Sequence, residues 1–317
     1  MKAHLSYNLG MNNTVESGDS LTGGLVFSAA VVVYVILSFL FAVIVAATGL
    51  DENSDIYIYI SYLVSPVAIA ISVPLALRFR RVPLSAVLPV RMPRSRFTVK
   101  YIVAAVLLAF GLLFTLSWLN VGFAELLKLS GYGGSRSYFP DLAGWKVLPA
   151  LIVMAVLPAL FEESLFRGAV LQNIRRDAGE FNSVFLCGMC FALFHASPEQ
   201  TIYQFVCGCA FALLALRSRS LIPCFIVHFL NNAVIIIMQA CGLDTSGTLF
   251  DMLPVWAAVL VTALSAVSLA AGAYIIIRGE KGEKLAAPAN GGVKNFFIAA
   301  LIGIGVLAIL WISSFFA

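Results

Sequence analysis

Residues 26–50 read VFSAAVVVYVILSFLFAVIVAATGL, and no side chain in this stretch carries a charge. In an α-helix, about 20 apolar residues are long enough to cross the hydrocarbon core of a bilayer. Five more charge-free runs reach this length, at residues 56–77, 101–124, 221–243, 252–277 and 295–317. Three shorter or more polar segments bring the number of candidate helices to nine, at residues 147–174, 182–196 and 201–216.

The composition agrees with a membrane environment for most of the chain. Of its 317 residues, 61% are hydrophobic and only 11% are charged, against about 25% charged residues in soluble domains. We predict an all-α polytopic membrane protein with eight to nine transmembrane helices, because segment 182–196 is short and can form a tight or partly re-entrant pair with the next segment. We expect no nucleic-acid partner, since the net charge is only +4 and the basic residues lie in short connectors.

The distribution of lysine and arginine predicts the orientation. With the N-terminus inside, 16 of the 20 cations fall in inner connectors, three (Lys128, Arg136 and Lys146) lie in outer connectors, and Arg167 lies within a span. This is the positive-inside pattern, so we expect an integral protein of the plasma membrane with a cytoplasmic N-terminus. The connector 78–100 holds seven of the cations, which either set the orientation alone or also bind anionic lipid head groups.

Polar side chains inside the predicted spans indicate a functional site. They are Glu162, Glu163, Arg167, His195, His228, Asn231 and Asn232. An ionised side chain at mid-membrane costs about 2.5–3.5 kcal/mol. Ion pairs and single histidines can simply lock transmembrane helices together, but such a lock needs neither a spare carboxylate nor two histidines.

Helical spacing divides these residues into pairs. Glu163 and Arg167 are four residues apart in the favourable acid-to-base order, so we expect them to neutralise each other. Glu162 lies about 100° round the helix and is left without a partner on its own helix. His228 and Asn232 are also four residues apart and share one face.

The depths of these residues predict a common chamber. Counted at about 1.5 Å per residue from the inner helix ends, Glu162 and His195 lie roughly 20 Å deep and His228 about 10 Å. We expect these three residues and Asn232 to line one polar chamber that opens towards the cytoplasm. Pro158 lies one turn before Glu162 and removes a backbone hydrogen bond, which predicts a kink or a widened cavity there.

Three short motifs resemble those of a known family. Residues 162–167 (EESLFR), 191–195 (FALFH) and 228–232 (HFLNN) are similar to the EExxxR, FxxxH and HxxxN motifs of the CPBP family, which contains type II CAAX prenyl endopeptidases and bacteriocin-processing membrane proteases. The similarity covers about residues 148–232, roughly a quarter of the chain. Each motif alone is short, and the specificity lies in their order within a multispan protein.

The resemblance implies an α-helical intramembrane endopeptidase and a role for each motif residue. Glu162 would activate water with the help of His195, while His228 and Asn232 would face the developing oxyanion. Glu163 and the arginine of the same motif would hold the helix and the carboxylate in place. The substrate would be a membrane-associated peptide or protein, such as a prenylated CAAX tail or a leader peptide. Beyond that substrate and the membrane lipids, the sequence identifies no partner and no oligomeric state.

The resemblance leaves a metal cofactor open. Two histidines and one glutamate form a typical three-ligand catalytic zinc site, and here the ligands would be Glu162, His195 and His228. A metal-free mechanism driven by glutamate uses the same residues. If Glu162 were a ligand, Glu163 would have to act as the base while paired with Arg167, so we favour a site without a tightly bound metal.

Two other functions compete with the protease. A proton- or cation-coupled transporter also needs buried ionisable residues, but the first half of the chain has no counterpart to those between residues 162 and 232. A non-catalytic membrane scaffold would use the connector 78–100 as its contact. The predicted organisation is a polar cytoplasmic segment 1–22, N-terminal helices in 23–145, a catalytic core in 146–243, and C-terminal helices in 244–317 with a polar linker 279–294 before a peripheral last helix.

Overall fold

The computed structural model describes residues 19–90, 99–134, 138–245, 247–279 and 291–316. Most of the predicted polar segment 1–22, part of the basic connector 78–100 and most of the linker 279–294 lie outside the described residues.

The described residues form helices joined by turns and connectors, with no strand among them, which confirms the predicted all-α polytopic membrane fold. Its eleven helices are α1 Ser20–Thr48, α2 Asp55–Phe79, α3 Leu84–Val87, α4 Val99–Lys128, α5 Gly144–Ile174, α6 Gly179–Phe194, α7 Thr201–Ser218, α8 Ile222–Ala240, α9 Leu249–Met252, α10 Val255–Ile277 and α11 Gly292–Ser313. Eight of these described helices are long and apolar enough to cross a membrane, and the short apolar helix α6 is the ninth candidate.

The connectors gather at two ends of the helical bundle. The basic end contains residues 80–90, 175–178, 219–221 and 278–279, where Asp177 accepts hydrogen bonds from the backbone and hydroxyl of Ser20 at the start of α1. The acidic end contains residues 49–54, 129–134, 138–143, 195–200, 241–245 and 247–248. There the Asp55 carboxylate accepts a hydrogen bond from the backbone of Asp141.

Helix α5 is irregular in the region that carries the polar residues. It contains π-helical turns at Ile152–Val156 and Ser164–Val170, and Pro158 lies two residues after the first of them. Proline has no backbone N–H, so the carbonyl of Met154 loses its usual partner four residues on. Such wide turns often occur at functional sites, and this one lies where the sequence predicted a kink or a widened cavity.

The last helix, α11, contacts the rest of the bundle near both of its ends. It packs along α1 so closely that a Cβ at Gly24 would lie 2.5 Å from the carbonyl of Phe296. At its far end, Trp311 donates a hydrogen bond to the Thr201 hydroxyl, and the Ser314 hydroxyl donates one to the carbonyl of Ala196. Helix α11 therefore supports the connector that follows His195.

The short helix α3 closes the basic end of the bundle. Leu88, just after α3, packs against α5, where a Cβ at Gly168 would lie only 2.7 Å from the Leu88 side chain. The backbone of Leu221, at the start of α8, donates a hydrogen bond to the carbonyl of Pro89. Every residue of α5 from 165 to 174 is buried, so this half of the helix has no open face.

Candidate functional site

The predicted site residues converge on one cavity of about 490 Å³. Glu162, His195, His228 and Asn232 all line it, together with residues of α1, α2, α4 and α7. Three helices from different parts of the chain, α5, α6 and α8, thus bring the three motifs to one place. The two remaining motif residues, Glu163 and Arg167, lie behind the cavity wall.

The cavity extends to the acidic end of the bundle. Its lining includes Phe139, Gln200 and Thr245, which lie in the connectors at that end. The described lining contains no residue of the basic connectors, towards which the sequence analysis predicted the opening. The depth estimate measured distance along each helix, but it contained no information on α3, which lies under α5 and α8 and closes the other side.

Glu163 is the centre of a buried polar network. Its Oε1 accepts a hydrogen bond of 2.9 Å from Nη1 of Arg167, as the spacing predicted, and a second of 2.8 Å from Nδ1 of His228 on α8. Arg167 is fully buried, and its Nη2 donates to the carbonyl of Gly208 on α7 at 3.1 Å. The network links α5, α7 and α8 through charge-assisted hydrogen bonds.

Aromatic rings surround the remaining surface of the Arg167 guanidinium. Its central carbon lies 4.3 Å from the ring centroid of Phe191 and 5.1 Å from that of Phe211. A cation over an aromatic face gains about 0.5–2 kcal/mol, with the larger values at desolvated sites. The first phenylalanine of the second motif therefore has a packing role next to the charged network.

Glu162 is the carboxylate without a fixed partner. It is 8% exposed, and its Oε2 accepts no hydrogen bond from any described residue. Nε2 of His228 lies 4.0 Å from Oε2 of Glu162, which is too long for a hydrogen bond. The spacing argument predicted this difference between the two adjacent glutamates.

Both histidines are oriented through the same nitrogen. Nδ1 of His195 lies 2.8 Å from the carbonyl of Phe191, and Nδ1 of His228 lies 2.8 Å from the Glu163 carboxylate. A carbonyl or a carboxylate only accepts hydrogen bonds, so Nδ1 carries the proton in each ring. Nε2 of each neutral imidazole is then an acceptor, and it becomes a donor only when the ring is doubly protonated.

Asn232 has a structural partner that the sequence did not reveal. Its amide Nδ2 donates to the carbonyl of Met154 at 3.3 Å. This is the carbonyl that Pro158 leaves without its usual helical partner. One amide hydrogen of Asn232 therefore fixes α8 against the wide turn of α5, and the second remains for a ligand in the cavity.

Tyr203 was missed by the sequence analysis. Its hydroxyl donates to Oδ1 of Asn231 at 3.0 Å, and both residues line the cavity. This bond uses the carbonyl oxygen of the Asn231 amide as its acceptor, so the NH₂ group of Asn231 takes no part in it. A tyrosine in the polar segment 201–216 was the only signal in the sequence, because the pairing depends on how α7 faces α8.

An ion pair between Lys146 and Asp141 stabilises the connector at the acidic end of the cavity. The Lys146 side chain donates to the Asp141 carboxylate, and this hydrogen bond, with a further one from the backbone of Ala143, holds the pKa of Asp141 below its usual range. Asp141 therefore stays negatively charged at neutral pH. Its backbone N–H also donates to the Asp55 carboxylate, which fixes residues 138–143 to the start of α2.

The side chains are not arranged as a metal site. Among the described residues, no three His, Cys, Asp or Glu side chains are close enough together to hold a metal ion. The zinc site implied by the resemblance, with Glu162, His195 and His228 as ligands, is therefore not assembled in this structure. Ligands of one zinc ion would each lie at about 2 Å from it.

Comparison with known proteins agrees with the motif assignment. Residues 144–234 match the family model described as type II CAAX prenyl endopeptidase, Rce1-like. The match covers less than a third of the chain and includes all three motifs, so the resemblance derived from the motifs is confirmed in this region. No curated protein and no solved structure matches the chain.

Proposed function

We propose that this chain, in which residues 144–234 match the Rce1-like endopeptidase family, hydrolyses a peptide bond of a membrane-associated polypeptide by glutamate-activated water. The observation that carries the proposal is the environment of Glu162. A buried carboxylate without a hydrogen bond to Oε2 faces a cavity that also contains both intramembrane histidines. Isolated carboxylates are costly inside a membrane and indicate function.

In the proposed reaction, Glu162 acts as general base. It accepts a proton from a water molecule, whose oxygen forms a bond with the carbonyl carbon of the scissile peptide. Nε2 of His195 accepts the second hydrogen of that water and orients it, because its Nδ1 is fixed to the carbonyl of Phe191. The carbon–nitrogen bond then breaks, and protonated Glu162 returns its proton to the leaving amine.

The oxyanion of the tetrahedral intermediate faces helix α8. The free amide hydrogen of Asn232 donates to it, as does Nε2 of His228 when that ring is doubly protonated. Nε2 of His228 lies 4.0 Å from Oε2 of Glu162, and its Nδ1 lies 2.8 Å from Oε1 of Glu163. An oxyanion donor of this kind typically contributes about 2.7–4 kcal/mol.

Glu163 and Arg167 are positioning residues. Neither lines the cavity, and together they hold His228 and the helix that carries Glu162. The alternative of a transporter has no support among the described residues, because the carboxylate and imidazole side chains that line the cavity all lie between residues 162 and 232 and have no counterpart in α1, α2 or α4. No contact of the described residues favours a scaffold.

A comparison of native membranes tests this function. Cells that carry either the wild type or Glu162→Ala are compared by mass spectrometry of the N-termini of their membrane proteins. We expect a set of internal N-termini in the wild type that disappears in the variant. Glu52→Gln, an exposed glutamate away from the cavity, is the control and should leave that set unchanged. Identical N-termini in wild type and Glu162→Ala would contradict the proposal.

The metal-free mechanism makes a separate prediction. Cleavage of a peptide by the purified protein should be unchanged after dialysis against EDTA and phenanthroline, because every proposed step uses side chains of the chain itself. The measurement is the initial rate before and after dialysis, with added Mg²⁺ and Zn²⁺ as controls. A loss of rate that Zn²⁺ restores and Mg²⁺ does not would assign Glu162, His195 and His228 as ligands instead.

A further inference from the structure

The two ends of the bundle carry opposite charge. Among the described residues, the basic end has ten cations, at residues 78–81, 100, 175–176, 217–219, 278 and 294, and three acids, Asp19, Asp177 and Glu180. The acidic end has two cations, Lys128 and Lys146, and eight acids, at residues 51–55, 125, 141, 199, 244 and 251. Both cations at the acidic end are paired with a carboxylate.

This asymmetry gives the cavity a direction in the membrane. Positively charged connectors remain on the cytoplasmic side during insertion, whereas acidic residues have little influence on orientation. The basic end is therefore the cytoplasmic one, and it is also the end that α3 and Leu88 close. The cavity extends to the opposite end, at Phe139, Gln200 and Thr245.

We propose that the protease receives its substrate from the extracytoplasmic side of the membrane. This inference rests on the proposed endopeptidase function. The substrate class is a polypeptide that is anchored in the membrane and has its scissile bond in an extended segment on the extracytoplasmic side. A prenylated CAAX tail on the cytoplasmic leaflet does not belong to this class, because the packed residues of α5 from 165 to 174 lie between that leaflet and Glu162.

The depth of Glu162 restricts the substrate further. Glu162 is twelve residues from the basic end of α5 and eighteen from its other end, or about 18 Å and 27 Å along the helix. The substrate segment must therefore enter the cavity unwound. In a regular helix, its carbonyls would be hydrogen-bonded and unavailable to the attacking water. A segment next to a transmembrane or lipid anchor can reach this depth from the acidic end.

Sided cysteine labelling tests the orientation. Cys241 is the one cysteine at the acidic end that is exposed, so a variant retains it and replaces the other five by alanine. A second variant lacks all six and carries Arg176→Cys at the basic end, where residue 176 is exposed. In intact cells, a membrane-impermeant maleimide should label the variant that retains Cys241. It should label the Arg176→Cys variant only after the cells are permeabilised. The reverse pattern would overturn the inference.

Sided cleavage separates this inference from the proposed function. A lipid-anchored fluorogenic peptide is added to the outside of spheroplasts or of inverted membrane vesicles that contain the protein. We expect cleavage by spheroplasts, none by inverted vesicles, and equal cleavage by both after detergent. Cleavage by inverted vesicles alone would overturn the inference and leave the endopeptidase function intact. No cleavage even in detergent would contradict the function, while the labelling still decides the side from which the cavity opens.

Discussion

Glu162→Gln should abolish peptide cleavage while the protein melts at the wild-type temperature. Glutamine has the same shape but cannot accept the proton of the attacking water, and loss of a general base typically lowers a rate by about 10²–10⁴-fold. The fold should tolerate the change, because Oε2 of Glu162 accepts no hydrogen bond from the described residues. The measurement is the cleavage rate of a membrane peptide and the melting curve of the purified protein in detergent.

Two variants serve as controls for Glu162→Gln. Glu52→Gln makes the same chemical change at an exposed position and should alter neither rate nor melting. Glu162→Asp keeps the carboxylate but withdraws it by about one methylene, so it should retain part of the activity that the amide loses. Wild-type activity in Glu162→Gln, or unfolding of that variant, would refute the assignment of Glu162 as base.

Interactions within one helix were predictable from the sequence. The pairing of Glu163 with Arg167, and the lack of a partner for Glu162 on its own helix, follow from a fixed helical geometry, and both are present in the structure. Interactions between helices were not predictable, because they depend on the rotation of each helix about its axis. The bond between Glu163 and His228, and that between Tyr203 and Asn231, belong to this second kind.

The end of the bundle to which the cavity extends was not predictable for a similar reason. The sequence predicted the depth of the polar residues, but a depth does not show at which end of the bundle packed side chains close the cavity. That depends on Leu88 and Pro89, in a connector that was interpreted only through its charges. Prolines and leucines in a polar connector carry no periodic signal, so their packing under α5 became apparent only in three dimensions.

The N-terminal helices complete the site although they match no motif. Tyr34 of α1, Ser61 of α2 and Asn120 of α4 line the cavity, and all three lie outside residues 144–234, which match the family. The predicted core 146–243 therefore contains the proposed reacting groups but not the whole lining of the cavity. Differences in substrate choice between related proteases are expected to lie in these N-terminal lining residues.

A second large effect is expected when the buried ion pair between Glu163 and Arg167 is broken. Glu163→Ala removes the hydrogen-bond acceptor of both Arg167 and His228 and leaves a fully buried guanidinium without its carboxylate. Removing one partner of a buried pair typically costs about 3–5 kcal/mol of folding free energy. We expect this variant to melt at a clearly lower temperature than wild type in detergent and to lose cleavage as well.

The double variant Glu163→Ala, Arg167→Ala should recover part of the lost stability and none of the activity. It no longer contains a stranded charge, but His228 still lacks the acceptor that orients it. Glu125→Ala is the matched control, because it removes the partner of Lys128 from an ion pair whose side chains are 53% and 63% exposed. Its cost should be closer to the roughly 0–1 kcal/mol of surface pairs. If Glu163→Ala melted like the wild type while Glu162→Gln unfolded, the roles of the two glutamates would be reversed.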